Sequence, residues 1–362
     1  MARLTRAQQQ ERTRATVLAA ARHEFAEHGY AEAKVDRIAE RAELTRGAVY
    51  SNFTGKRALY LAVLADTAER ARGSAGPPTE SPDSVGRSLG AFARVWLERL
   101  PFAGETPGSG HLQLRSLSGV LDDDPARAAL AELIRFEALL LGLALEPRSP
   151  VRARKVRLAE LTLTLLHGAA GLAENAPGVG DPFDLVRAAE HLAGIAIVDD
   201  AQPPHLAYAD PARPVTDPWA APRGLRDEIS GRPADLARDG VIVALGVQRL
   251  GAAEEAVRAA RLRDDVTVVV VTDDPAETGR LARLRIVDLV GCLRRVFRPD
   301  DLPRLRVVLD DHTVAPALGL GEVGDHTEVA VRVHGGTIVA RAQGRGAGHA
   351  AATATELPRA RS

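Results

Sequence analysis

Three cations near the amino terminus lie where a polyanion would compensate their charge. Arg46 follows Thr45, and Lys56 and Arg57 follow Thr54, so each cation falls in the first turn of a helical pattern. The helix dipole disfavours a cation there by about 0.3 to 1 kcal/mol. Nucleic-acid phosphates supply the missing negative charge, because helix N-termini also offer them free N–H donors. The spacing therefore predicts a nucleic-acid interface.

The residues between these cations suit close contact with DNA. Arg46 offers a planar guanidinium to guanine or phosphate, and Gly47 and Ala48 are small enough for the backbone to approach bases. Tyr50 and Asn52 add a hydroxyl and an amide on the same side. A phosphate contact is favoured for Tyr50, whereas Asn52 fits a structural role equally well.

Short helices must position these groups. Val17, Ala21 and Phe25 recur every four residues and form the core face of a first helix, which Gly29 ends. Residues 35–42 repeat the apolar pattern over barely two turns, a length that is unstable without packing. Val49, Phe53 and Ile38 are interpreted as core residues of this packed unit.

A tight turn separates the second and third helices. Glu43 and Leu44 form the turn, Thr45 caps the next helix through its hydroxyl, and Leu44 packs on Val49 as a hydrophobic staple. Two short helices so joined are the helix-turn-helix arrangement, whose second helix enters the DNA major groove with its N-terminal residues leading.

The run from Phe25 to Leu59 resembles the DNA-binding domain of TetR-family repressors, above all at Val35–Ala42 and Leu44–Phe53. The resemblance implies a homodimer that binds a palindromic DNA operator and releases it when a small-molecule effector enters a helical domain. The residues predicted to contact DNA are Lys34, Thr45, Arg46, Gly47, Ala48, Tyr50, Asn52 and Lys56.

Two positions depart from the family pattern. Lys34 replaces the usual hydroxyl residue at the start of the second helix, which removes a cap but adds a charge that can reach a phosphate. Glu43 replaces the usual glycine in the turn, so we expect a strained positive φ there and a negative charge near DNA.

Residues 1–72 form this predicted head, and residues 85–198 form a second all-helical domain. Residues 152–175 and 181–198 are predicted to be two amphipathic helices, which the resemblance assigns to the homodimer interface within 151–198. The alternative is that their apolar stripes face only the core of one chain. Trp96, His111 and Arg115 are candidates for the effector pocket.

A different pattern follows a Pro-rich linker at 199–222. β-branched runs at 241–245, 266–272, 305–309, 328–333 and 337–342 alternate with helical segments, so residues 223–357 are predicted to be an α/β domain. Their layout resembles a thioredoxin-like domain. Such a redox domain needs a reactive thiolate after its first central strand, but Gly246–Glu254 contain no cysteine, and Cys292 lies elsewhere.

Composition limits the remaining function classes. Positions 2–57 contain eleven Lys or Arg against seven Asp or Glu, while the whole chain has a net charge of −1. No apolar run reaches the roughly 20 residues of a membrane span, and no leader pattern opens the chain, so we expect a cytoplasmic location. No two of the ten histidines stand three or four residues apart, so no metal site is expected, and no cofactor is implied.

The sequence thus predicts a multidomain chain: a helix-turn-helix head, a helical regulatory domain and a thioredoxin-like α/β domain. The favoured function is a DNA-binding repressor that is not an enzyme. Two alternatives act through the carboxy-terminal domain: a redox enzyme, which would depend on Cys292, and a scaffold that binds another protein.

Overall fold

The computed structural model describes residues 5–74, 76, 78–98, 117, 119–150, 153–176, 178–200, 202–310 and 312–354. We call residues 5–74 the head, 78–200 the helical middle and 213–354 the α/β region. The helices of the head are α1 (Arg6–Glu32), α2 (Val35–Arg41), α3 (Arg46–Tyr50) and α4 (Lys56–Ser74). Those of the helical middle are α5 (Val85–Leu97), α6 (Asp124–Leu145), α7 (Val156–Asn175) and α8 (Pro182–Leu192).

Side-chain caps begin several of these helices. Thr5 forms a capping box with Gln8, and Ser84, Asp123 and Asp181 each accept a backbone N–H from the first turn that follows them. These polar residues satisfy donors that the helices themselves leave unpaired. Gly29, predicted to end the first helix, instead produces a kink inside α1, where its φ is 68°.

The α/β region is built on one six-stranded sheet. Its strands are β1 (Arg213–Pro218), β2 (Gly240–Gly246), β3 (Asp265–Val271), β4 (Arg306–Leu309), β5 (Glu328–His334) and β6 (Thr337–Gln343). The order is β1-β6-β5-β2-β3-β4, with β2, β3 and β4 parallel and β5, β6 and β1 joined by antiparallel pairing. Its helices are α9 (Ala253–Ala259), α10 (Thr278–Val296), α11 (Val314–Ala317) and α12 (Ala347–Thr353).

Five strands lie where the sequence predicted them, but β1 lies inside the segment predicted to be a linker. A strand with prolines fits there because β1 is an edge strand, which leaves one row of backbone groups outside the ladder. β1 pairs with β6, and its Pro214 lies opposite Ala340. The second half of the predicted linker is therefore part of the sheet.

Both faces of the central strand are buried. On β2, Val241, Val243 and Leu245 join a core that faces the helices, whereas Ile242 and Ala244 join a second core on the other face. A strand buried on both faces has a continuous apolar run, which is typical of parallel sheets under helices.

The head, the helical middle and the α/β region share one continuous core. The cluster that includes Val17 of α1 also contains Leu133 of α6 and Ala351 of α12. α10 connects them, because it packs against α4, α5 and α6 while belonging to the α/β region. Thirteen of its nineteen residues are buried, as expected for a helix with neighbours on several sides.

A buried ion pair fastens α10 to the helical middle. Arg285 of α10 lies 2.6 Å from Glu137 of α6, and both side chains are about 95% buried. The Arg285 guanidinium also donates to Nε2 of His167 in α7 at 2.8 Å, while Nδ1 of His167 donates to the carbonyl of Leu163. The two contacts assign the imidazole proton to Nδ1, so the neutral ring serves as acceptor for Arg285.

No helix within the described residues is long and apolar enough to cross a membrane.

Glu137→Ala should lower the free energy of unfolding by about 3–5 kcal/mol, because it leaves the Arg285 charge buried without its carboxylate. Urea denaturation followed by circular dichroism measures this. Asp83→Ala is the matched control, since its ion pair with Arg87 is more than 70% exposed on both sides and contributes at most about 1 kcal/mol. Equal losses in the two variants would contradict the importance of the buried pair.

Candidate nucleic-acid interface

The predicted helix-turn-helix is formed by α2 and α3. The hydroxyl of Thr45 accepts the backbone N–H of Ala48 at 3.2 Å and so caps α3, as its position in the sequence predicted. In the turn, the N–H of Leu44 bonds to the carbonyl of Ala39 at 2.9 Å. Glu43 has a φ of 55°, which confirms the expected strained turn.

Apolar side chains hold the two helices against α1. Phe25, Ile38, Val49 and Phe53 are each at most 2% exposed, in agreement with their interpretation as core residues. Arg14 of α1 and Arg280 of α10 each place a guanidinium 4.8–5.2 Å from the centre of the Phe53 ring. Within α3, Val49 packs inward, whereas Arg46, Gly47 and Tyr50 are exposed on its outer side.

Arg46 and Tyr50 lie together on the outer side of α3. The Arg46 side chain is 61% exposed, and its guanidinium is 5.5 Å from the centre of the Tyr50 ring. A hydrogen bond with Tyr50 and the charge of Asp36, 3.3 Å away, raise the pKa of Arg46 above its ordinary value. The pair presents a permanent cation and a hydroxyl at the same surface.

The small residues of α3 leave room beside this pair. Thr45 and Gly47 are exposed, and Ala48 is half-buried. A Cβ added to Gly47 would meet only the Thr45 hydroxyl, at 3.8 Å. The backbone at the start of α3 is therefore open to a close approach from outside.

Other predicted DNA contacts have intramolecular partners. The Asn52 amide donates to the carbonyl of Ala48 at 2.9 Å, which gives this side chain a structural role at the end of α3. Lys56 donates to the carbonyl of Ala31 at 2.9 Å, and its ammonium is 4.9 Å from the centre of the Tyr30 ring. Burial lowers the pKa of Lys56, although nearby carboxylates oppose the shift.

The charge of Arg57 is compensated inside the chain rather than by an external polyanion. Its guanidinium bonds to Asp123 at the start of α6 and to Glu277 just before α10, and Asp122 lies 3.6 Å away. Partial burial disfavours the charged form, but Asp123 and Glu277 outweigh it and raise the pKa of Arg57. The expectation that all three cations await phosphates is therefore wrong for Arg57, because carboxylates distant in sequence supply the negative charge.

Lys34 is exposed and begins α2 without a side-chain cap, as expected from its type. Its backbone N–H is instead satisfied by Glu24 of α1, at 3.0 Å. The same carboxyl oxygen accepts Arg37 at 2.6 Å, so Glu24 fixes α2 on α1. Burial opposes ionisation of Glu24, but these hydrogen bonds outweigh it and lower its pKa. The role of Glu24 was not predicted from the sequence. The available signal was an acidic residue at a core position beside Phe25.

The effector-pocket candidates are described only in part. Trp96 is 2% exposed, and its ring meets the ring of His167 edge-on with centres 5.5 Å apart. It is packed in the core beside the buried Arg285 and Glu137 pair. His111 and Arg115 lie outside the described residues.

Comparison with known proteins agrees with this geometry over the head. Residues 17–63 match the family model described as bacterial regulatory proteins, tetR family. A stretch of 65 residues, 18% of this chain, is 46% identical to the HTH-type transcriptional regulator SrpR of Pseudomonas putida. The uncharacterized HTH-type transcriptional regulator TtgW, from the same species, is also 46% identical over 65 residues. The matched stretch spans 30% of SrpR and 48% of TtgW.

Solved structures also align with part of the chain. A TetR transcriptional regulator from Rhodococcus sp. RHA1 is 18% identical with a TM-score of 0.34, and the alignment covers 52% of this chain and 99% of that one. RolR in complex with resorcinol is 20% identical with a TM-score of 0.35, covering 54% of this chain and 100% of that one.

Glu43→Gly should raise the free energy of unfolding by up to about 1 kcal/mol, because glycine adopts a positive φ without the cost that Glu43 bears. Thermal unfolding measures the change. Glu40→Gly is the control: it places glycine inside α2, where about 1 kcal/mol should be lost. Destabilisation by Glu43→Gly would show that the turn carries no strain.

Proposed function

We propose that this chain, whose head matches the tetR family model, is a sequence-specific DNA-binding transcriptional repressor. It binds a palindromic operator as a homodimer and releases the operator when a small-molecule effector binds. The observation that carries the proposal is the exposed Arg46 and Tyr50 pair at the open side of α3. As a DNA-binding regulator, the protein acts in the cytoplasm.

The geometry of α3 suits insertion into a major groove. The helix has only five residues, so its capped N-terminus and its exposed side both lie within reach of base edges. Arg46 can form two parallel hydrogen bonds with guanine, and the Tyr50 hydroxyl can donate to a phosphate. When DNA binds, Arg46 breaks its solvent-exposed ion pair with Asp36 and contacts the DNA instead.

Of the two lysines predicted to contact DNA, Lys34 is better placed than Lys56 to bind a phosphate. Its side chain is exposed at the start of α2, whereas the Lys56 ammonium is held by the Ala31 carbonyl. Lys56 contributes to DNA binding only if it leaves that carbonyl. Asn52 acts through the position of α3 instead of through direct contact.

Exposed apolar side chains on α7, on α8 and in the segments that follow them support the homodimer. Among the described residues, six of the nine large exposed apolar side chains lie between 161 and 198. They are Leu161, Leu172, Val179, Phe183, Ile195 and Val198. Gly168 and Gly171 of α7 have open space beyond them, which permits close approach of a second helix. A self-complementary patch of this kind suits a twofold dimer.

Other members of the predicted stripes face the core of one chain. Leu158, Thr162 and Leu166 of α7 are at most 5% exposed. One side of α7 therefore supports the interpretation that its apolar stripe faces the core of the same chain. The other side supports the interpretation that apolar residues of α7 meet a second chain. The outer side, which contains Leu161 and Leu172, is the one proposed to meet a second copy.

The α/β region is proposed to be thioredoxin-like and to act without thiol chemistry. The order β6-β5-β2-β3, with β2 and β3 parallel and β5 antiparallel to both neighbours, supports that layout. The segment after β2 contains no cysteine, and Cys292 is fully buried within α10. A buried thiol lacks the exposed, electropositive setting of a reactive one, so a redox function is not favoured.

The same region holds the helix that connects the head to the helical middle. Arg280 of α10 donates to the carbonyl of Ala58 in α4 at 2.9 Å, and Glu228 pairs with the buried Arg72 of α4 at 2.8 Å. These contacts support a regulatory role, since α4 packs on α1 and shares the core that contains Val49 of α3. The α/β region is thus proposed to stabilise one orientation of the head.

Arg46→Ala should weaken operator binding about 5- to 150-fold, because loss of a base contact costs about 1–3 kcal/mol. The operator is first selected from a random duplex pool, and affinity is then measured by fluorescence anisotropy. Lys34→Ala should weaken binding to all sequences alike and reduce the salt slope by about 1. Arg87→Ala, which removes a guanidinium exposed on α5, is the control. Unchanged affinity in Arg46→Ala would refute the proposed interface.

The double variant Leu172→Glu with Phe183→Glu should be a monomer at micromolar concentration, since it places charge on the proposed dimer surface. Sedimentation velocity measures the oligomeric state. Leu262→Glu, at an apolar residue 89% exposed in the α/β region, should remain a dimer. A dimer that survives the double variant would place the subunit interface elsewhere.

A further inference from the structure

A cavity of about 300 Å³ lies where the helical middle, the segment after α8 and the α/β region meet. We call it the junction cavity. Its walls include Arg154 and Arg157 near the start of α7, Gln202 after α8, and Glu255 and Arg258 of α9. Its size is at the lower end of the range for small-molecule sites, and a place between structural units is common for them.

The arginines of the junction cavity already have carboxylate partners. Arg157 pairs with Glu160 and Glu254, and Arg258 pairs with Glu254 and Asp199. Arg154 likewise lies 3.1 Å from Glu146. Because these guanidinium groups are neutralised within the chain, they have little need of an anionic ligand.

Glu255 differs from the other charged groups of the cavity wall. Its side chain is 92% buried, and its Oε2 has no hydrogen-bond partner among the described residues. Its Oε1 lies 3.0 Å from Nε2 of His205, but the two atoms do not form a hydrogen bond, since Nε2 also has no hydrogen-bond partner among the described residues. Burial and the nearby Arg345 lower the pKa of His205, which favours the neutral imidazole over the cation that a carboxylate would need.

The remaining charges around Glu255 do not provide a cation either. Arg249 is engaged by Glu328 through two hydrogen bonds of 2.7 and 3.1 Å. Glu328 and Glu254 add negative charge, and the exposed Arg345 only partly offsets it. Burial and these carboxylates raise the pKa of Glu255 to about 7.

We propose that the junction cavity binds a small molecule that carries a primary ammonium group, with Glu255 as the anionic partner of that group. Oε2 is closed to solvent, so the Glu255 carboxylate has to turn toward the cavity before the ammonium can supply the donors that Oε2 lacks and the positive charge that His205 does not provide. A buried carboxylate without a cation is costly, which is why Glu255 retains a proton, and a cationic ligand can replace that proton whereas a neutral or anionic ligand cannot.

This site deepens the proposed function by locating its effector, and it rests on that function for its regulatory meaning. One wall belongs to α7, whose outer side carries the proposed dimer surface. The opposite wall belongs to α9 of the α/β region. The same region packs against α4 by means of its helix α10. A ligand between the two walls can therefore change the position of the head relative to the dimer axis.

The test uses isothermal titration of the full chain with three probes of equal length: 1,4-diaminobutane, 1,4-butanediol and succinate. The diamine should bind at least tenfold more tightly than the diol or the dianion. At pH 6.5 its binding should release most of a proton, because Glu255 is protonated before the ammonium arrives and ionised afterwards. Titrations in buffers of different ionisation enthalpy measure that release.

Glu255→Gln keeps the shape of the protonated side chain and removes its ability to ionise. It should bind the diamine at least tenfold more weakly and release no proton. Glu322→Gln, at an exposed carboxylate outside the cavity wall, should behave like the unaltered chain. Absence of diamine binding, equal binding in Glu255→Gln, or preference for succinate would each overturn the proposal.

Operator affinity is measured separately, without diamine, on the same proteins. If the unaltered chain binds no operator, the proposed function fails whether or not the diamine binds. If the operator is bound and the diamine is not, only the junction cavity proposal fails.

Discussion

The burial of α10 between the sheet and the helices is the constraint on which the rest of the structure depends. A helix with thirteen of nineteen residues buried needs apolar neighbours on several sides, and α4, α5, α6 and the sheet provide them. Arg285 within this helix then requires a carboxylate, which Glu137 supplies from the helical middle. Neither part satisfies these requirements alone, so the three predicted segments fold around one shared core.

This shared core connects the α/β region to the helices of the head that are proposed to bind DNA. Arg57 at the start of α4 is held at once by Asp123 of the helical middle and by Glu277 of the α/β region. A displacement of either part therefore acts on α4, and α4 shares the packed core that supports α3. Coupling of this type requires only that the parts have two discrete arrangements that a ligand can distinguish.

The junction cavity and the core around Trp96 offer different routes to such coupling. Trp96 is packed against His167 beside the buried ion pair, so a ligand there would have to displace core side chains. The junction cavity is already open, and its walls belong to parts that move relative to each other if the shared core shifts. The preformed space carries the smaller reorganisation cost.

The sequence by itself determined the features that depend on neighbours in the chain. Thr45 caps α3, Glu43 takes a positive φ, Val49 and Phe53 are buried, and five strands lie at the predicted runs. Local hydrogen bonds and hydrophobic periodicity decide such features, so a single sequence contains the information.

Only the tertiary structure decided which distant groups meet. Arg57 finds Glu277 across 220 residues, Arg285 finds Glu137 across 148, and the predicted linker contributes β1 to the sheet. A charge near a helix start signals a need for a counter-charge, but its identity depends on chain geometry that no local pattern specifies. For the same reason, only the folded structure shows that Oε2 of Glu255 has no hydrogen-bond partner among the described residues.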